Sequence, residues 1–378
     1  MPITAQQLLR ELIALPSVNP AFLPGRAELT GEQRVADFLA FTADRAGLEL
    51  EWQEVFPGRS NLLARLTPAG GKVRRRILLA PHMDTVGVDG EARFKPVVKA
   101  GRLHGRGACD TKGSIATYLA SLLELATRGP RPRETEIILT ALVDEENNQS
   151  GSRDLVKRCL KADLAIVGEP TLCKVITAHK GDLWLRLTTH GKSAHGSKPH
   201  LGKNAVHAMA RVIEELETNY AATLKRRTHP LLGHATVNVG CIAGGKQPNI
   251  VPDRCKILID RRTLPGETDA GVFTELRALL HRLGVDADLT DTKNAPCPAL
   301  ETDPELPLVR QLTRCAGQRR ALGVDYFSDA AVLASGGIPS VLLGPGDIAQ
   351  AHTADEWVEL AHLERLTRLL VKFLRDQP

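Results

Sequence analysis

The stretch Arg75–Val86, RRILLAPHMDTV, puts a histidine and an aspartate two places apart where an apolar strand runs out. Taken alone, His82 and Asp84 have the character of a surface hydrogen-bonding pair. The surrounding pattern points elsewhere. Strand-like runs occur at NLLARL (61–66), RILLA (76–80), TEIILTALV (135–143) and DLAIVG (163–168), and between the second and third lies the helical run SIATYLASLLELATR, closed by Gly129-Pro130. Continuous apolar strands alternating with helices predict an α/β fold, a mostly parallel sheet covered by helices on both faces. Upstream, Thr4 and Gln7 form a capping box ahead of Leu8, Leu9, Leu12 and Ile13 at helical spacing. A second helix is expected near 31–46, with Val35, Phe38, Leu39 and Thr42 on one face and Gly47 as its stop.

From about residue 178 the rhythm changes. A strand at 182–189, a helix at 204–218, strands at 235–242 and 255–260, a helix near 268–283 and the short strand VDADLT (285–290) follow in the order βαββαβ. That is the order of a ferredoxin-like α+β sandwich. The Pro-rich connector NAPCPALETDPEL (294–306) and the buried-strand run GIPSVLLGPG (337–346) then return to the first pattern. The expected organisation is a catalytic domain in two parts, 1–177 and 293–378, interrupted by an inserted domain at 178–292.

Composition narrows the function classes. A length of 378 residues is ample for a core that needs no disulfide. The net charge of +5 arises from 49 basic and 44 acidic residues, and the tight basic runs, Arg74-Arg75-Arg76 and Lys225-Arg226-Arg227, lack aromatic neighbours, so no nucleic-acid groove is expected. Seven cysteines without a C-x-x-C pair suit reduced thiols. MPITAQQLLRELIAL lacks the basic region and apolar core of a leader, and no apolar run approaches ~18 residues, so a cytoplasmic chain with no membrane association is expected.

In an open α/β sheet, ligands gather at the carboxyl ends of strands. There the chain places His82 and Asp84, Asp144-Glu145-Glu146, Glu169, Asp110 ahead of the long helix, and His352 after VLLGPG. Carboxylates concentrated at a sheet mouth repel one another and oppose folding unless a cation joins them. Imidazoles and carboxylates without thiolate suit zinc, cobalt or manganese, and two such ions can share a bridging carboxylate. Asp84, on the same strand face as His82, is suited to hold the imidazole from behind. Glu145 and Glu146 are adjacent and point apart, so one can bind metal while the other serves as general base. GRGACDTKG meets neither the Walker nor the dinucleotide pattern, and Cys109, with no paired histidine, is expected to be a packing thiol.

The motifs APHMDTV, GRGACDTKGS, VDEENNQSGS, VGEPT, HGKSAHGSKPHLGKNA, GGKQPNIVPD, DRRTLPGE and GPGDIAQAHTADEWV occur in one order along nearly the whole chain. In this the sequence resembles the zinc amidohydrolases and metallopeptidases that include acetylornithine deacetylase, succinyl-diaminopimelate desuccinylase and the carboxypeptidase-G-like exopeptidases. The resemblance implies a zinc-peptidase-like catalytic domain with two Zn2+ per subunit, Co2+ being an alternative. His82 and Glu169 would hold one ion and Glu146 and His352 the other, with Asp110 bridging. Asp84 would orient His82, and Glu145 would be the base. The insert would be a lid and dimerisation domain of a homodimer, with His195 donating to the oxyanion in the partner's site. Asn249 and Arg262 would hold a substrate carboxylate, and Gly346 would let backbone approach the substrate. The implied substrate is an N-acyl amino acid; a desuccinylase, a dipeptidase or carboxypeptidase, and a non-catalytic binding protein are the competing readings. Thr111, where many deacetylases carry Met, and the polar Asn147–Ser150 stretch depart from the family pattern.

Overall fold

The computed structural model describes residues 3–293 and 295–378; Met1 and Pro2, which open the N-terminal segment, and Asn294, which opens the Pro-rich connector, lie outside the described residues. The chain starts with α1 (Ala5–Ala14), whose capping box is formed as expected, the Gln7 N–H donating to Thr4 Oγ1 at 3.2 Å and the Thr4 N–H to Gln7 Oε1 at 2.8 Å. α2 (Gln33–Asp44), β1 (Glu49–Phe56), β2 (Arg59–Leu66) and β3 (Arg75–Ala80) follow. Next come α3 (Lys112–Arg128), β4 (Thr135–Ala141), α4 (Ser150–Lys157) and β5 (Leu164–Val167). The chain then builds β6 (Gly181–His190), α5 (Ala205–Glu215), β7 (Thr236–Gly244), β8 (Arg254–Thr263), α6 (Asp269–Leu283) and β9 (Ala287–Asp291). It ends with α7 (Asp329–Ser335), β10 (Ser340–Leu342) and α8 (Leu360–Arg375).

Two compact units result. The first comprises 1–177, 302–322 and 328–378. Its sheet has the order β1-β2-β4-β3-β5-β10, with β4, β3, β5 and β10 pairing in parallel and β2 antiparallel to both its neighbours. Ile77, Leu79, Ile137, Leu139, Leu164 and Ile166 share one core with α1, α3 and α8, whereas Leu78, Ile138 and Ala165 are equally buried on the alternate face. Residues of opposite parity point to opposite faces, so the sheet is covered on both sides. Burying each such Leu or Ile stabilises the unit by about 1.5–3 kcal/mol. α3 is buried almost all round and packs against α1 and α8, which holds its N-terminus, and with it Asp110, at the end of the parallel strands.

The second unit comprises 178–301 and 323–327. Its sheet runs β7-β8-β6-β9, antiparallel throughout, with α5 and α6 packed on it through a separate core. This is the ferredoxin-like arrangement. The expected return to the first unit at 293 is set later, at Thr302, because Lys293 bonds Asp182 at 2.5 Å and Ala178–His179 pairs with both Leu300–Glu301 and Gly323–Val324.

His179 gives this unit a pH signature. It is fully buried, its Nδ1 donating to the Lys180 carbonyl at 2.8 Å and its Nε2 without a partner among the described residues, and burial pushes its pKa down to about 4. The folded pKa lies below the unfolded value of about 6.5, so the neutral form's contribution is complete above pH 6.5 and is lost as pH falls toward 4. The urea unfolding free energy of wild type is therefore expected to fall relative to that of His179→Gln between pH 6.5 and 4, by up to roughly 3 kcal/mol; parallel pH profiles would show that His179 does not titrate this way.

Candidate metal centre

The site forms where β3, β4 and β5 end and α3 begins. Met83 N–H bonds the Leu142 carbonyl at 2.8 Å and Leu142 N–H the Pro81 carbonyl at 2.9 Å, so the two strand ends stay paired as their side chains turn into the mouth. His82, Asp110 and Glu146 offer ligand atoms that all lie within 4.8 Å of one another. His82 Nε2 is 3.2 Å from Asp110 Oδ1, and His352 Nε2 is 3.3 Å from Asp110 Oδ2 and 3.1 Å from Glu146 Oε2. Asp110 thus presents one oxygen to each imidazole. Glu169 and Glu145 are buried beside them, and among the described residues Oε1 of both Glu146 and Glu169 has no hydrogen-bond partner.

The electrostatics follow from this crowding. Burial pushes the Glu169 and Glu145 carboxyls well above the usual range; the charge of Asp110 adds to the effect on Glu169, and the charge of Glu169 to that on Glu145. Burial and the Asp110 charge raise Glu146 as well. For Asp110, burial is outweighed by His352 and His82, which hold its carboxyl well below the usual range. Bonds to Asp110 and Glu146 push His352 up to about 10. The fields acting on these acids come chiefly from one another, from Asp329 and from the imidazoles. Buried carboxylate oxygens without donors, set beside imidazole nitrogens, form a donor set that fits a hard or borderline divalent cation.

Asp84 is held from four directions. His82 Nδ1 lies 3.4 Å from its Oδ1 and 3.0 Å from its backbone carbonyl. The N–H groups of Glu145 and Glu146 donate to Oδ1 and Oδ2 at 3.0 and 3.1 Å, and Asn19 Nδ2 donates to Oδ2 at 2.8 Å. The fully buried Asp84 therefore both backs the His82 ring and fixes the backbone of the two glutamates. Gly346, φ +80°, is buried, and a side chain there would run into Cys109 Sγ, so at that position its missing side chain serves the packing of the loop behind Asp110. The departing Thr111 donates its hydroxyl to the Gly168 carbonyl beside Glu169.

The other three predicted residues lie in the second unit. His195 and Asn249 are exposed neighbours, the Gly196 N–H donating to the Asn249 carbonyl at 2.7 Å. Ser197 N–H donates to His195 Nδ1 at 3.2 Å, which makes Nδ1 an acceptor and leaves the proton on Nε2. Arg262 is half-buried on β8 with Nε 2.9 Å from Asp260, while Arg261 points to the opposite face, fully buried against Glu267 and Tyr220.

Sequence reasoning missed the layer behind Asp84. Asn19 Nδ2 also donates to Asp144 Oδ1 at 2.9 Å, Arg59 lies 3.3 Å from the same oxygen, and Arg59 meets the buried Glu32 bidentately at 2.7 and 2.6 Å. Asp329, buried and bonded to Ser152 at 2.5 Å, is a further acid of the pocket, and burial lifts it to about 7. Arg59 and Asp144 are 85 residues apart and Glu32 and Asp144 112 apart, so nothing local distinguishes them from surface charges. Asn19 lies in the Pro-bounded segment PSVNP (16–20), the local signal that could have marked it.

The fold and the imidazole–carboxylate cluster define a metallohydrolase. The chain belongs to the Peptidase family M20/M25/M40, whose model matches residues 78–376, and it is accordingly a metal-dependent hydrolase of amide bonds. It is 31% identical over 392 aligned positions to the acetylornithine deacetylase of Proteus mirabilis (strain HI4320), covering 98% of this chain and 96% of that one. In structure it is similar to a Staphylococcus aureus tripeptidase (TM-score 0.79, 21% identity, 98% and 97% of the chains covered). It is also similar to a Bacillus subtilis protein described as a dinuclear metal binding peptidase of the M20 family (TM-score 0.70, 13% identity, 98% and 96% covered). Among the described residues no helix is long and apolar enough to cross a membrane.

Replacing Arg59 with Leu leaves Glu32 and Asp144 buried without their cation. A loss of about 3–5 kcal/mol in urea unfolding is expected; a change under about 1 kcal/mol would show that the pair is solvated like a surface bridge.

Proposed function

We propose that this protein removes the acyl group from an N-acyl amino acid, in the manner of an acetylornithine deacetylase, with two divalent metals, zinc or cobalt, in its centre. The observation that carries this reading is the Asp110 carboxylate set between two imidazoles, one oxygen to each, with oxygens of Glu146 and Glu169 beside it that have no partner among the described residues. His82 and Glu169 would hold one ion, His352 and Glu146 the other, and Asp110 both. The ions would supply Lewis acidity toward the amide carbonyl and lower the pKa of water toward neutrality.

This chain's residues would do the rest. Glu145, its backbone pinned by Asp84, takes the proton of the attacking water and passes it to the leaving amine. Asp84 keeps the His82 ring oriented. His195, with its proton on Nε2, donates to the carbonyl oxygen as it becomes an oxyanion, an interaction worth roughly 3 kcal/mol in the transition state. Arg262, oriented by Asp260, and Asn249 would receive the substrate carboxylate, for which a planar guanidinium is suited. A homodimer formed through the second unit is supported by its exposed edge strand β7, where Ile242 is 60% exposed.

Hydrolysis of N-acetyl-ornithine, N-acetyl-lysine, N-succinyl-diaminopimelate and simple dipeptides by the cobalt- or zinc-loaded protein tests the substrate class. The highest kcat/KM is expected on an N-acetyl amino acid; preference for the succinyl substrate or a dipeptide would transfer the assignment to a desuccinylase or peptidase, and no turnover with metals bound would leave a binding protein. Glu145→Gln should lower kcat about 10²–10⁴-fold with metal content unchanged. His82→Ala should lose a metal, whereas Asp84→Asn should keep most of it and lose about 10–100-fold in rate. If His195 serves the partner's site, inactive Glu145→Gln and His195→Ala chains should regain activity on mixing and subunit exchange; mixtures as inactive as their components would contradict donation between subunits.

A further inference from the structure

We infer that Glu356 is a positioning residue that sets where the Asp110 carboxylate stands relative to His352; this rests on the reading of Asp110 as the carboxylate shared by two metals. Glu356 stands at the head of the short strand Trp357–Glu359, which pairs with Arg102–His104, and its carbonyl accepts the Gly105 N–H at 3.0 Å. Its side chain, 3% exposed, is wholly inside the loop that leads to Asp110. Oε1 accepts the N–H groups of Cys109 at 2.8 Å and Asp110 at 2.9 Å. Oε2 accepts the Gly107 N–H at 2.9 Å and Arg106 Nη1 at 2.7 Å.

A carboxylate has about four acceptor positions, and here each oxygen receives two donors. Main-chain N–H groups converging on one point make a nest for an anion. In this loop the nest is filled by the protein's own glutamate, with the Arg106 guanidinium balancing its charge. The position of Glu356 in the chain gives this geometry its consequence. His352 and Glu356 are four residues apart on one segment, and that segment presents an imidazole to Asp110 Oδ2 at 3.3 Å while gripping the Asp110 N–H through Glu356. The backbone of residue 110 and the ring of residue 352 are therefore referenced to each other through a single side chain. A shared carboxylate must be held to a fraction of an ångström to serve two ions at once, and flexible loop backbone does not provide that by itself.

Glutamine is nearly isosteric with glutamate but offers one oxygen and one NH2, so Glu356→Gln turns a donor toward two of the four donors and frees one side of the loop. The test compares full-length wild type, Glu356→Gln, and Glu124→Gln, a half-buried partner of Arg375 away from the site, as the control. Each is stripped of metal, titrated with Co2+ by calorimetry and by visible absorption, and assayed on the substrate that wild type hydrolyses best. Glu356→Gln is expected to bind Co2+ about 10–100-fold more weakly, with an altered absorption band. Its kcat should fall with KM changed less than about twofold, and Glu124→Gln should match wild type. A folded Glu356→Gln protein with wild-type Co2+ affinity and spectrum overturns the inference alone. A wild-type chain that takes up no Co2+ overturns the two-metal reading and this inference with it. Should Glu356→Gln fail to fold, amide exchange of metal-free wild type decides: the Gly107, Cys109 and Asp110 amides are expected to be protected as strongly as those of β3, and fast exchange at these three contradicts the clamp.

Discussion

Like charges crowded at the end of a parallel sheet are the constraint on which this structure depends. Asp84, Asp110, Glu145, Glu146 and Glu169 are all buried or nearly so at one mouth, and burial, with their mutual repulsion added to it, raises the pKa values of the three glutamates above those of free carboxylic acids. Two imidazoles offset part of this by bonding Asp110 from both sides. The remainder, seen in oxygens with no donor, calls for a cation. A protein that assembles such a cluster gives up stability for it, and the arrangement is intelligible only if binding returns that free energy.

The surrounding layers restrain the cluster without neutralising it. Asp84 is held by His82, Asn19 and two backbone amides, Asp144 by Asn19 and Arg59, and Arg59 by Glu32, so a chain of bonds runs from the His82 ring to the Arg59–Glu32 ion pair. A second chain runs through Glu356 to the loop ahead of α3. The glutamate proposed as base stands between these supports, fixed by its backbone. Stiff supports around a reactive group are what general base catalysis requires.

Much of the fold could be read from the chain because its local and global signals agree. NLLARL, RILLA, TEIILTALV and DLAIVG are buried on both faces, and no other pattern explains apolar runs without alternation; the Thr4 capping box and the Gly47 stop behave as their chemistry demands. The βαββαβ order likewise fixed the second sheet. The return point near 293 was misplaced because the pairing of Leu300 with His179 is a contact across 121 residues that no turn residue announces. The cluster residues stood at strand ends and were visible for that reason. Arg59, Glu32, Asn19 and Glu356 were not, since each owes its role to a partner far along the chain, and charged or amide side chains on surfaces look the same in sequence as those sealed behind a site.

The account is tested most directly by anomalous diffraction at the zinc edge from crystals of the zinc-reconstituted protein. It predicts two peaks flanking the Asp110 carboxylate, one beside His82 and Glu169 and the other beside His352 and Glu146. An empty cluster at saturating zinc, or zinc bound only elsewhere on the chain, would contradict it.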